Sequence, residues 1–191
     1  MILVTGGARS GKSDYALNRA ETLAESRLFI ATSPITDPEM AERIARHQEE
    51  RRDRGWRLLE EQTELPEAIA CAGLTESRPA RSGRGVILID CLTLWINNLL
   101  YRAASQGRPF ADAEMNARCE RLVTACREHD GVVLLVTNEV GMGIVPENSL
   151  ARHYRDLLGR ANRLLAAAAD EVVFVCCGIP LTIKKNLHEI A

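Results

Sequence analysis

The sequence predicts an α/β domain, a mainly parallel sheet with helices on both faces. Two observations carry this. Continuous apolar runs at Ile2–Thr5 (ILVT), Val86–Ile89 (VILI) and Val132–Val136 (VVLLV) read as strands buried on both sides, and stretches of helical composition alternate with them. The first run also breaks directly into Gly6-Gly7-Ala8-Arg9-Ser10-Gly11-Lys12-Ser13. This fits G-x-x-x-x-G-K-[ST], the phosphate-binding loop (P-loop), in its required context of strand before and helix after.

Each element follows from local chemistry. Ile2–Thr5 is the first strand and Lys12–Glu25 the helix after the loop. Arg27–Ala31 is a second strand, ended by Thr32-Ser33-Pro34, because proline cannot continue a ladder and small hydroxyls suit a turn. Asp37-Pro38-Glu39 opens a charged helix that runs to Arg52 or Arg54, with Asp as N-cap and Pro at the first position; Gly55 stops it. Trp56–Glu60 is a weak strand, and Thr63–Leu74 a short helix with Glu64 and Glu67 in its first turns. Thr75–Gly85 is a polar loop within the domain. Val86–Asp90, four apolar residues ending in an acid, has the pattern of a Walker B strand. Thr93–Ala104 and Ala111–His129 are helices joined by Ser105–Phe110. After Val132–Val136, Thr137–Ser149 is a loop of the length that carries function. Leu150–Ala169 is an alanine-rich helix; Glu171–Cys176 and Leu181–Lys185 close the chain as strands. Ligands of such sheets bind at the carboxyl ends of the strands. That edge gathers the P-loop, Thr32-Ser33, Asp90 and Thr137–Glu139.

Composition bounds the function. The 191 residues fit one domain, 1–191, with 46% apolar and 26% charged residues, a globular balance. A net charge of -2 lacks the basic excess of a nucleic-acid binder. No apolar run reaches the length of a membrane span, and the N-terminus is a strand rather than a signal peptide. The six cysteines (Cys71, Cys91, Cys119, Cys126, Cys176, Cys177) form no C-x-x-C and read as reduced core thiols of a cytosolic protein.

The candidate chemistry centres on phosphate. Glycines let the loop curl so that its N–H groups face phosphate oxygens, and the following helix aims its positive end at the same anion. Lys12 reaches the β- and γ-phosphates, and the Ser13 hydroxyl is placed to ligate Mg²⁺. Asp90, costly to bury unpartnered, is either the second metal contact or the N-cap of the Thr93 helix; the metal role is the preferred reading. His47 lies one helical turn from Arg43, Ile44, Glu50 and Arg51. Neighbouring cations disfavour its imidazolium, and a neutral imidazole would suit attack on a phosphate ester, but from spacing alone packing is the commoner role. Glu60 either reaches a nucleotide or faces solvent. Thr137-Asn138-Glu139 stands where polar groups sense a γ-phosphate, and it is not the guanine-reading N-K-x-D. His153, on a helix with Arg152, Arg155 and Arg160, is structural or an anion ligand; His129 and His188 read as surface residues.

Longer motifs point further. GGARSGKS after ILVT, IATS at Ile30–Ser33, the E-M-x-x-R-I-x-x-H helix of Glu39–His47, and VTNEVGMGIVPEN continuing into LARHYRDLLGRANRLL together resemble the bifunctional cobinamide kinase/cobinamide-phosphate guanylyltransferases of adenosylcobalamin biosynthesis. The resemblance covers essentially the whole chain except its last residues. It implies a RecA-like P-loop NTPase sheet and a homotrimer; the cytoplasmic location rests on the cysteine usage above. The resemblance also implies two reactions with Mg²⁺ and ATP or GTP: phosphorylation of adenosylcobinamide, then transfer of GMP from GTP to adenosylcobinamide phosphate through a histidine-GMP intermediate. The family's nucleophile maps onto His47, reversing the reading from spacing; where some relatives have H-H, this chain has Arg46-His47. The family's nucleotide contacts map onto Gly6, Gly7, Ala8, Arg9, Ser10, Gly11, Lys12, Ser13, Ala31, Thr32, Ser33, Gln48, Glu49, Glu50, Arg51, Glu60 and Asp90. Because the reactions place different phosphorus atoms near different acceptors, the segment between Ser33 and Gly55 is expected to move. The rival is a single-activity P-loop small-molecule kinase in which His47 only packs.

Overall fold

A computed structural model describes residues 1–34, 54–74 and 85–186. The helix expected from Asp37, with His47 and Gln48–Arg51, the movement expected between Ser33 and Gly55, nearly all of the loop from Thr75, and His188 lie outside these residues.

The described elements, in order, are β1 (Ile2–Gly6), α1 (Lys12–Leu23), β2 (Arg27–Ala31), β3 (Trp56–Glu60), α2 (Leu65–Leu74), β4 (Val86–Asp90), α3 (Leu92–Ser105), α4 (Asp112–Glu128), β5 (Val132–Asn138), α5 (Ser149–Ala168), β6 (Glu171–Cys176) and β7 (Ile179–Lys185). All seven strands form one sheet in the order β3-β2-β4-β5-β1-β6-β7. Every pairing is parallel except β6 with β7. This is the P-loop, RecA-like arrangement expected, with the loop strand β1 and the Asp90 strand β4 on either side of β5.

Side-chain alternation divides the core in two. Ile2, Val4, Val86, Leu88, Leu134, Val136, Val173 and Val175 pack with Ala16, Leu17 and Ala20 of α1. Leu3, Ile87, Ile89, Val133, Leu135 and Val172 face the other way, onto α2, α3, α4 and α5. Trp95 of α3 is fully buried there, its indole N–H satisfied by the Thr63 carbonyl at 2.8 Å. The weak strand β3 is one exposed edge of the sheet, with Leu58 46% and Leu59 37% accessible.

Several details differ from the sequence reading. β1 and β5 run on to Gly6 and Asn138, past the expected ends at Thr5 and Val136. The last strand starts at Ile179 rather than Leu181, because Cys177 (φ 52) and Gly178 (φ 78) form a two-residue hairpin turn that reverses the chain directly out of β6. Only Cys119 and Cys126 are buried; Cys71, Cys176 and Cys177 are exposed and Cys91 is half-buried, so most of the cysteines are not core thiols. Cys176 falls past the last buried position of β6 and Cys177 lies in the turn. His129, read as a surface residue, is half-buried where α4 turns into β5.

Candidate nucleotide site

The P-loop is shaped by close backbone approaches. Gly6 lies between Asn138 of β5 and Val175 of β6 in the sheet register. A Cβ there would stand 2.3 Å from the Val175 carbonyl oxygen, so only glycine lets β1 and β6 pair at this point. Gly11 caps α1 with φ 86, in the left-handed region, and supplies no side chain to the helix's first N–H groups. The N–H groups of a helix's first turn, with its positive dipole end, suit an anion. Lys12 is buried, and its Nζ donates to the Gly7 carbonyl at 3.1 Å, which folds the ammonium back over the loop. Ala8 and Arg9 form the exposed tip, Arg9 with φ 56; Ser10 N–H donates to the Gly7 carbonyl at 3.3 Å. Gly178 supports the loop from the β6–β7 turn: its N–H donates to the Ser10 carbonyl at 2.9 Å. A glycine so remote in sequence gave no signal.

Asp90 stands half-buried at the carboxyl end of β4, level with Ala31 of β2, which is level with the exposed Glu60 of β3. The N-cap of α3 is Cys91, so Asp90 is not the cap that the alternative required. No described residue forms a hydrogen bond or ion pair with its carboxylate. Thr32 is fully buried, and its hydroxyl donates to the Cys91 carbonyl and accepts from the Cys91 N–H, both at 2.8 Å. Its own carbonyl accepts from Asn98 Nδ2 at 2.8 Å. The Thr32 hydroxyl is thus committed to the backbone of Cys91, the residue after Asp90. Ser33 Oγ turns to the Pro34 carbonyl at 3.4 Å. The Cys91 thiol is pushed up to about 11, first by burial and then by the Asp90 charge. It is a neutral thiol near pH 7 and no nucleophile.

Ser13 follows Lys12 in the first turn of α1 and is half-buried. One hydroxyl and one uncommitted carboxylate are hard oxygen donors. They suit Mg²⁺, which takes one or two protein ligands and completes its shell with water and substrate phosphates. Among the described residues no group of three or more His, Cys, Asp or Glu forms a metal cage. Thr5 Oγ1, Ser10 Oγ and Asn138 Oδ1, in β1, in the loop and at the end of β5, are buried without hydrogen-bond partners. Such atoms cost free energy unless a ligand or water satisfies them.

A buried polar network holds the end of β5. Thr137 Oγ1 donates to Asn162 Oδ1 at 2.8 Å, and Asn162 Nδ2 donates to the Asn138 carbonyl at 2.9 Å. Asn138 N–H donates to Thr93 Oγ1 at 2.9 Å, and Glu139 N–H to the Gly6 carbonyl at 3.0 Å. Asn162 and Thr93 escaped the sequence reading because polar residues within amphipathic helices read as surface. His153 takes the structural alternative: its Nε2–H donates to the Phe110 carbonyl at 3.0 Å. Arg152 bonds the Pro146 carbonyl, Arg155 pairs with Asp156 and Arg160 with Asp112.

Comparison with known proteins agrees with this geometry. An ATPase from the type III secretion system of pathogenic bacteria superposes with a TM-score of 0.56 at 10% identity, over 97% of this chain and 56% of that one. At that identity the likeness is one of fold. The bifunctional adenosylcobalamin biosynthesis protein CobU of Escherichia coli (strain K12) is 44% identical, over 96% of this chain and 99% of that protein. The CobU protein of Salmonella typhimurium (strain LT2) is 45% identical over the same shares. The family model for cobinamide kinase / cobinamide phosphate guanyltransferase matches residues 2–183, and the chain belongs to that family.

Proposed function

We propose that the chain carries out two successive reactions on a cobinamide. The first moves the γ-phosphoryl group of ATP or GTP to the aminopropanol hydroxyl of adenosylcobinamide. In the second, a His47 ring nitrogen attacks the α-phosphorus of GTP; a P–N bond forms, the Pα–O–Pβ bond breaks and pyrophosphate leaves. A phosphate oxygen of adenosylcobinamide phosphate then takes the GMP, giving adenosylcobinamide-GDP and freeing the histidine. The observation that carries this reading is the P-loop with the uncommitted Asp90 carboxylate across β5, in a chain so close to proteins named as bifunctional in adenosylcobalamin biosynthesis.

The residues divide the work. Loop amides and Lys12 hold the triphosphate and spread the charge of the transferring group, so positioning supplies most of the rate. Ser13 and Asp90 would hold Mg²⁺, which neutralises phosphate charge when bound. Thr32 holds the backbone of Cys91, the residue after Asp90. Ala31, Ser33, Glu60 and Gln48–Arg51 complete the nucleotide contacts by family resemblance, as His47 supplies the nucleophile.

Incubation with GTP labelled in the α-phosphate, with Mg²⁺, then intact-protein mass and peptide mapping, tests the covalent step. An acid-labile, base-stable GMP adduct on His47 is the expected result. His47→Ala should lose the adduct and keep kinase turnover. A folded, GTP-binding wild type with no adduct would leave only a P-loop kinase. The proposal includes a homotrimer. The strongly exposed Met142, Ile144, Val145 and Leu150, after β5 and at the start of α5, offer it apolar surface to bury. Sedimentation equilibrium should return three chain masses, and a monomer at micromolar concentration would refute it.

A further inference from the structure

Cys176 ends β6 and Cys177 begins the turn to β7; both are exposed, with their sulfurs 3.8 Å apart. Consecutive Cα atoms are about 3.8 Å apart across a trans peptide. Disulfides usually bridge Cα atoms about 4.4 Å apart or more. A direct S–S bond would therefore require the backbone to move. A single thiophilic atom between the two sulfurs requires no such movement, and paired soft sulfur donors select soft centres.

The turn that presents these thiols also supports the P-loop. Gly178 follows Cys177, and its N–H donates to the Ser10 carbonyl at 2.9 Å. A Cβ built on Gly11 would lie 3.3 Å from the Gly178 Cα, so turn and loop are packed backbone to backbone. Cys177 (φ 52) and Gly178 (φ 78) both hold left-handed conformations that this contact depends on. Bridging the two sulfurs fixes both side chains and the peptide between them, one residue from the Ser10 contact.

We propose that Cys176 and Cys177 form a vicinal dithiol site that chelates one trivalent thiophilic centre, of the class of a monosubstituted arsenical, and that its occupancy weakens nucleotide binding at the adjoining loop. The chelation step balances without electron transfer. Two S–H bonds and one As=O bond are replaced by two As–S bonds and one water, and arsenic stays trivalent. Nucleotide and arsenical oppose each other reciprocally, because a coupling free energy between two sites acts equally in both directions.

The probe is phenylarsine oxide on the full chain, read by intact mass and by titration with a fluorescent GTP analogue. One adduct per chain is expected, equal to the reagent less one water and removed by 2,3-dimercaptopropanol. Cys176→Ser and Cys177→Ser should each abolish the stable adduct and leave unmodified nucleotide affinity unchanged. Wild-type affinity should fall at least about fivefold on modification, and saturating nucleotide should raise the phenylarsine oxide concentration for half-modification at equilibrium by the same factor. An adduct that survives in either variant, or a fully modified wild type of unchanged affinity, overturns the proposal. The coupling rests on nucleotide occupying the P-loop; titration of unmodified protein tests that separately, before any arsenical is added.

Discussion

Lys12 is the side chain on which both proposed reactions converge, because each begins with a triphosphate in the same loop. Its Nζ is held to the Gly7 carbonyl at 3.1 Å, so the ammonium is placed before the ligand arrives and little is lost in ordering it. Lys12→Ala should lower both kinase turnover and GMP-adduct formation by about 10²–10³-fold, the scale for removing one preorganised charge-stabilising donor. Circular dichroism should show an unchanged fold. A fully active variant would remove the P-loop from the mechanism. The places of Lys12 and Ser13 at the start of α1 and of Asp90 at the end of β4 were legible, because the motif spacing marks where the loop becomes helix and the apolar run marks where the strand ends. Thr32 was legible only as a polar residue at the right edge. Its commitment to the Cys91 N–H and carbonyl depends on β2 and β4 being neighbours, which local sequence does not state. The cysteines mislead for a related reason: apolar neighbours in the chain do not reveal that Cys176 lies past the buried part of its strand.

Among the elements, β5 and α5 place the polar edge of the site together. Asn162 projects from α5 to satisfy the Thr137 hydroxyl and the Asn138 carbonyl, and all three residues lie at the end of β5 or packed against it. Asn162→Leu keeps most of the volume and leaves both partners buried and unpaired. Stability should drop by about 2 kcal/mol. For a domain of this size that lowers Tm by about 4–8 °C in calorimetry. A shift under about 1 °C would mean water replaces the amide and the network is not structural. Strand positions were readable from apolar runs: β2, β3, β4 and β6 begin and end where the sequence places them. Two ends were not. Thr137-Asn138 looks like loop, yet β5 runs through it because Gly6 lets β1 stay paired alongside. Ile179-Pro180 looks like a break, yet proline is tolerated in β7, which is an edge strand of the sheet.

At the scale of the molecule, the sheet carries α1 on one face and α2 to α5 on the other, and a carboxylate ties elements together on each side. Glu64, just before α2, accepts from Arg102 of α3 at 2.7 Å and Arg118 of α4 at 2.8 Å. Glu21 of α1 accepts from Arg54 at 2.6 Å and from the Trp56 indole of β3 at 2.9 Å. Burial alone would raise both carboxyls. For Glu64 the Arg118 and Arg102 contacts outweigh it, and for Glu21 the Trp56 and Arg54 contacts do, so both lie below the ordinary glutamate value of 4.5. A carboxyl depressed in the folded state binds its proton more readily when unfolded. Its contribution is therefore complete above the ordinary value and is lost as pH falls through the folded one. Glu64→Gln should lower the urea midpoint near neutral pH. The gap from wild type should close as pH falls below the carboxyl's depressed folded value, where the wild-type group has itself become a neutral acid. Added salt should narrow the neutral-pH gap too, since Glu64 is about a third exposed. A gap that stays constant from neutral to acid pH would assign the loss to packing of the side chain. The charge pairs between α2, α3 and α4 would then contribute nothing measurable to holding those helices on the sheet.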